Sequence, residues 1–136
     1  MPRYANYGFT RKILTLQQAV ATGTSQEIVV LSLPVGRCVL EKLEVIPIVA
    51  GTGTSASRVL NVRKGTASGT VAATLTMVLA DMQTKGTFKA GAVTASAASF
   101  DDSDTMTVEI ASGGTQFTAL TIAVVLTFRE LAQRAS

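Results

Sequence analysis

Histidine and tryptophan are absent from this 136-residue chain, cysteine occurs once and tyrosine twice. Without an imidazole the commonest general base and the commonest metal ligand are missing, and neither a Ser-His nor a Cys-His nucleophile pair can form. A single cysteine, Cys38, excludes an internal disulfide framework and a Cys-rich zinc site, so stability must come from packing or from oligomerisation. Charge is sparse too: 12 basic and 9 acidic residues leave a net +3 that is too dispersed to announce nucleic acid. No apolar run approaches the roughly 18 residues that a membrane-crossing helix needs. The opening MPRYANYGFTRK also lacks the apolar core of a secretory signal. The reading is a soluble protein that uses no membrane and assembles in the cytosol.

What remains is alternation. In TVEIASGGTQFTALTIAVVLTF (107–128), Leu120, Ile122, Val124, Leu126 and Phe128 share one face of a strand, and Thr121, Ala123, Val125 and Thr127 share the other. The same period of two runs through RKILTL (11–16) and QEIVVLSLP (26–34), the latter stopped by Pro34 and Gly36. In RCVLEKLEVIPIVAG (37–51), Leu43 and Val45 face away from Lys42 and Glu44, and Pro47, lacking an amide donor, demands an edge position or a bulge. In RVLNVRKG (58–65), Leu60 and Val62 oppose Val59, Asn61 and Arg63. In 101–114, Met106, Val108 and Ile110 point inward, with Thr105, Thr107 and Glu109 outward. For 71–83 a helix competes, since Ala, Leu and Met favour one. The interleaved Thr and Val side chains fit a pleated surface better and decide for a strand at 70–80. Residues 84–100 carry one weak strand around Gly86–Thr94, and the loops at 51–57 and 65–70 are read from their Gly, Thr and Ser content.

About eight antiparallel strands with turns at regular spacing specify an all-β fold, a jelly-roll-like β-sandwich. Residues 1–12 form an extended N-terminal arm, 13–128 a single sandwich domain and 129–136 a polar C-terminal tail. The chain is long enough to bury about two thirds of its unfolded surface. The outer faces, rich in Thr, Ala and Val and poor in charge, suit packing against other proteins, including copies of the chain.

Four candidate sites yield to plainer readings. RKGTASGT (63–70) has its lysine before the glycine and a strand after it, so it is a hairpin and not a phosphate loop. FDDSDT (100–105) gathers Asp101, Asp102 and Asp104, but Met106 and Thr107 stand where a calcium loop needs an oxygen ligand and a glycine. An acidic turn capped by its own carboxylates is preferred. Cys38 lies in an apolar strand and reads as an inert thiol. Glu41 and Glu44 fall on opposite faces by period-two counting and make no acid/base pair. No cofactor and no metal is expected, and no catalytic residue. The arm differs: Arg3, Tyr4, Tyr7, Phe9, Arg11 and Lys12 precede the first acid, Glu27. Base stacking or a disordered terminus are open to it, but aromatic anchors with arginines best suit contact with a neighbouring subunit.

FDDSDTMTVEIASGGTQFTALTIAVVLTF resembles the closing strands of small tailed-phage virion proteins, and RVLNVRKGTASGTVAATLT resembles their middle strands. The resemblance spans roughly residues 26–128. It departs at Ser103, where such turns usually carry glycine before the Asp-Thr pair. It implies a jelly-roll-like sandwich and a role in capsid decoration (cement) or as the head of a fibre. The expectation is a non-enzymatic virion protein, a homo-oligomer in the form of a trimer, bound to the major capsid protein on the capsid exterior. A carbohydrate-binding sandwich is the rival, although five Phe, two Tyr and no Trp offer few platforms for sugar rings. A shell or tail-tube subunit comes third.

Overall fold

The computed structural model describes residues 11–20, 25–32, 37–101 and 103–131. Within them the chain makes ten strands: β1 (Arg11–Ala19), β2 (Gln26–Ser32), β3 (Cys38–Thr52), β4 (Ser57–Lys64), β5 (Val71–Val78), β6 (Lys89–Ala90), β7 (Ala92–Val93), β8 (Ser99–Phe100), β9 (Thr105–Ile110) and β10 (Ala119–Glu130). One helical turn, α1 (Leu79–Met82), follows β5. The strand read at 70–80 is thus β5, and its Leu-Ala-Asp-Met end curls into a turn once the alternating Thr residues stop.

Two antiparallel sheets face each other. The first has the order β1-β10-β3-β6 with β8 also on β3, and the second β2-β9-β4-β5-β7. Successive strands switch sheets at every step except the β4–β5 hairpin, the double Greek-key winding of a jelly roll. First and last described strands are neighbours: β1 pairs β10 without a break from Arg11↔Arg129 to Ala19↔Thr121.

The space between the sheets is filled by the inward rows. Leu120, Ile122, Val124, Leu126 and Phe128 of β10 are all buried, as are Met106, Val108 and Ile110 of β9 and Leu60 and Val62 of β4. Burying side chains of this size is worth about 1.5–3 kcal/mol each relative to exposure, so the period-two pattern drives the collapse. Phe100 and Phe128 meet edge to face at 6.2 Å. One member of the inward row of β4 is charged: Arg58 is almost wholly buried and its Nη2 donates to the Ala111 carbonyl at 2.8 Å.

Pro47 sits at a bulge. Ile122 pairs with Pro47 and Thr121 with Val49, so Ile48 is left over, and the missing amide costs no ladder bond there. A second bulge was not legible: Thr127 pairs with Lys42 and Phe128 with Leu40, leaving Glu41 out. The extra residue shifts the count by one. Leu40 and Leu43 both point inward, and Glu41 joins Glu44 on the outer side of the sheet, which corrects the expectation of opposite faces.

Residues 84–100 hold three two-residue strands instead of one weak strand. The chain pairs with β3 at β6, crosses to β5 at β7 and returns to β3 at β8. Gly91 is the crossing point: its N–H donates to Leu43 O at 2.8 Å, and a Cβ there would lie 2.7 Å from Thr74 O and 2.8 Å from Leu43 Cδ2. Glycine is the residue that lets one strand pass between the two layers.

Candidate functional site

Apolar side chains that reach water are unevenly distributed. Among the described residues the large exposed hydrophobic ones are Ile13 (68%), Phe88 (60%), Val49 (48%) and Ile48 (40%), three in strands of the first sheet and Phe88 beside its edge. Ile13 is on the outer row of β1, opposite Thr127. Val49 is opposite Thr121, Ile48 is the bulged residue beside it, and Phe88 immediately precedes β6 at the β3 edge. Between them run Thr15, Ala19, Ile46, Thr121, Ala123 and Val125, small or apolar residues of the outer face, interrupted by Gln17, Lys42 and Glu44.

A charged clasp closes one end of this face. Arg11 Nε donates to Glu41 Oε1 at 2.8 Å and Arg129 Nε to Glu41 Oε2 at 3.2 Å. The Arg11 hydrogen bond, with the charges of both guanidiniums, holds the Glu41 carboxyl below its ordinary value. The β-bulge at Glu41 makes the clasp possible, because it turns this carboxylate to the outer side, where Arg129 points.

The second sheet treats its outer face differently. Thr74 Oγ1 donates to Asn61 Oδ1 (2.8 Å), Asn61 Nδ2 to Glu109 Oε1 (3.4 Å), Arg63 Nε to Glu109 Oε1 (2.5 Å) and Arg63 Nη1 to Gly69 O (2.8 Å). Thr107 Oγ1 donates to Gly65 O at 2.6 Å. Thr107 and Glu109 occupy the outward row as read from the sequence, yet both are buried, because the 65–70 turn folds over them and Arg63 lies across. These polar groups satisfy one another, an arrangement that fixes the β9–β4–β5 register and offers little to a ligand.

Burial, with Glu130 and Asp104 nearby, pushes the Cys38 thiol up to about 11, far from a reactive thiolate. In the acidic turn Asp104 Oδ2 accepts the Asp101 N–H (2.8 Å) while the Asp104 N–H donates back to Asp101 O (3.0 Å), the self-capped turn that was preferred. Asp102 lies outside the described residues. Ser103 does not need to be glycine: Ser55 is the one non-glycine residue with positive φ among those described. No three His, Cys, Asp or Glu side chains among the described residues come together as a metal site. The 65–70 segment is a hairpin turn, with Lys64 N–H bonded to Thr70 O and strand β5 following. A shallow depression of about 370 Å³ beside α1, between Ser55–Ser57, Val78–Ala80 and Gln83, has no ionisable side chain in its walls.

Of the arm residues, Arg3, Tyr4, Tyr7 and Phe9 lie outside the described residues, while Arg11 and Lys12 stand in β1 as its first two members. Phe117 and Phe128, which a sugar-binding surface would have to display, are core residues. The exposed cluster of Ile48, Val49 and Phe88 escaped sequence reasoning. Its signal was the Val-Ile-Pro-Ile-Val run, too apolar for a strand with one solvated face.

No family model matches the sequence, and no curated protein matches it. Solved structures with a similar fold include a chain of the cyanophage Pam1 capsid asymmetric unit (TM-score 0.55, 12% identity, covering 96% of this chain and 91% of that one). Another is a chain from the Bacillus endospore appendages, a family of disulfide-linked pili (TM-score 0.43, 13% identity, 98% of this chain and 100% of that one). The infectious bursal disease virus VP2 subviral particle also appears (TM-score 0.38, 11% identity, 90% of this chain and 38% of that one). At 12% identity the likeness to the Pam1 capsid chain is one of fold alone.

Proposed function

We propose that this chain is a non-enzymatic structural protein of a virion. In this reading it assembles as a homo-oligomer, a trimer, and clips the outside of the shell across joints between major capsid protein subunits. The observation that carries the reading is the asymmetry of the two sheets. One outer face closes its polar groups on itself, and the other leaves Ile13, Ile48, Val49 and Phe88 in water, an arrangement that favours burial against protein. The sandwich shared with a chain of the Pam1 capsid asymmetric unit supports the same role.

The mechanism is mass action. A clip that binds the intact lattice and not its separated subunits stabilises it by about 2.7 kcal/mol per site at a hundredfold excess over Kd. Joining several contacts in one oligomer multiplies the effect. Arg3, Tyr4, Tyr7 and Phe9 of the arm, continued by Arg11 and Lys12, are the contacts to shell or neighbour in this reading.

Sedimentation of the purified chain tests it first: a trimer supports the reading and a monomer at micromolar concentration removes it. Val49→Lys, at an exposed site, is expected to dissociate the oligomer while the monomer fold persists by circular dichroism. Deleting residues 1–10 is expected to abolish co-sedimentation with bare shells. The deletion stops there because removing Arg11 would also break the clasp on Glu41.

A further inference from the structure

The free edge of the first sheet is β1. Its register with β10 is unbroken over its whole length, and no other described strand pairs with it. Every second backbone amide and carbonyl of Arg11–Ala19 therefore points away from β10. Natural edge strands are usually shortened, bulged, or interrupted by proline or charge to prevent pairing with another chain. The other edges are defended in that way: β6, β7 and β8 have two residues each, and β2 is bulged between Glu27 and Val29. From Ile13 to Ala19, β1 has no charge, no proline and no bulge.

We propose that this edge pairs antiparallel with the β1 edge of a second copy across a two-fold axis at Thr15, joining two first sheets into one. In that register Thr15 faces Thr15 of the second copy and Leu14 faces its Leu16. Ile13 then lies opposite Gln17, and Arg11 opposite Ala19. Three features of the strand favour this occupant. Leu14 and Leu16 point inward but are half-buried at the open side of the sandwich, and the pairing covers both. The basic pair Arg11 and Lys12 of each copy is carried to opposite ends of the contact, whereas a parallel pairing sets like charges side by side. Arg11 is in addition engaged by Glu41. Isologous pairing of this kind is self-limiting, since it uses up the edge it recognises. The contact deepens the assembly reading, on which it rests. Together with a threefold contact through the outer face, it links oligomers laterally over a surface.

Thr15→Cys in the full chain tests the register, because two cysteines facing across an antiparallel pair come within disulfide reach. Mild oxidation is expected to convert most of the protein to a covalent dimer. Ser68→Cys, exposed in the 65–70 turn of the second sheet, is expected to give none, and buried Cys38 does not compete. Thr15→Lys places two ammonium groups opposite each other at an exposed site and is expected to weaken the lateral association at least tenfold by sedimentation while leaving circular dichroism unchanged. An oligomer that dissociates with Val49→Lys but never cross-links through Thr15→Cys overturns the edge contact and leaves the assembly reading standing. Cross-linking that appears only after residues 1–10 are removed also overturns it, since the edge is then occupied by the chain's own arm. A monomer that neither cross-links nor associates overturns both.

Discussion

Arg11 and Arg129 stand directly opposite each other in the β1–β10 ladder, and the Glu41 carboxylate from β3 reaches across to bond both guanidiniums. Two like charges placed across from one another are destabilising, so the arrangement depends on the anion between them. Its stabilisation follows a defined pH course. The Glu41 carboxyl is lowered from its ordinary 4.5 in the folded state, so the contribution is present above that value and is lost as pH falls through the lowered one.

Glu41→Gln is therefore expected to cost about 0.2–1 kcal/mol at neutral pH, the range for solvent-accessible ion pairs, and to flatten the acid limb of the stability profile below pH 4.5. Urea unfolding of both proteins at several pH values reads the difference. An unchanged acid limb would remove Glu41 as its source.

The Cys38 thiol, raised from 9.0 to about 11, acts at the other end of the scale. Its neutral form is preferred in the folded state, so the associated stability is complete below pH 9 and declines as pH rises toward 11. Native protein at pH 8 is expected to resist aromatic disulfide reagents and to react fully in denaturant. Cys38→Ala is expected to lessen the alkaline loss of stability above pH 9.

At the crossing between layers, Gly91→Ala forces a methyl against the Thr74 carbonyl and the Leu43 side chain. The expected cost is about 1–3 kcal/mol, the usual penalty for overpacking, seen as a lowered urea midpoint. Ala substitution at Gly86, where a Cβ has open space but φ is +81°, separates the two causes, since only backbone strain acts there.

Glu109 joins Asn61 and Arg63 under the 65–70 turn. Glu109→Ala leaves those donors without their acceptor in a buried setting, and a loss of about 1–3 kcal/mol is expected. Replacing exposed Glu27, directly opposite on β2, is expected to change stability by less than about 0.5 kcal/mol. Equal effects at the two positions would refute the distinction between the closed polar row and a solvated one.

Much of this fold was written in local pattern. The rows Leu120 to Phe128 and Met106 to Ile110 repeat every two residues, and hydrophobic burial acts on that repeat directly. Pro47 announced its bulge because a missing amide is a local fact. The bulge at Glu41 had no such mark: it arises from fitting β3 to β10, over eighty residues away in sequence. The burial of Thr107 and Glu109 likewise comes from a turn at 65–70 that packs on β9 only in three dimensions. Residues 84–100 lack any sustained period, since their course is set by where β3 and β5 leave room. For the outer face of the first sheet, the Thr and Ala of its middle were legible and the exposed Ile48, Val49 and Phe88 were not, because the bulge turns two successive apolar residues to water.

That β1 has β10 as its neighbour governs how the molecule can come into being. During synthesis β1 must wait for about a hundred further residues before its mate leaves the ribosome. Pairing so remote along the chain is slow to form, and until Glu130 has been made one whole layer of the sandwich has no centre. A nascent chain in that interval exposes unpaired strands, so yield in a host is expected to depend on temperature and chaperone supply more than on the final stability.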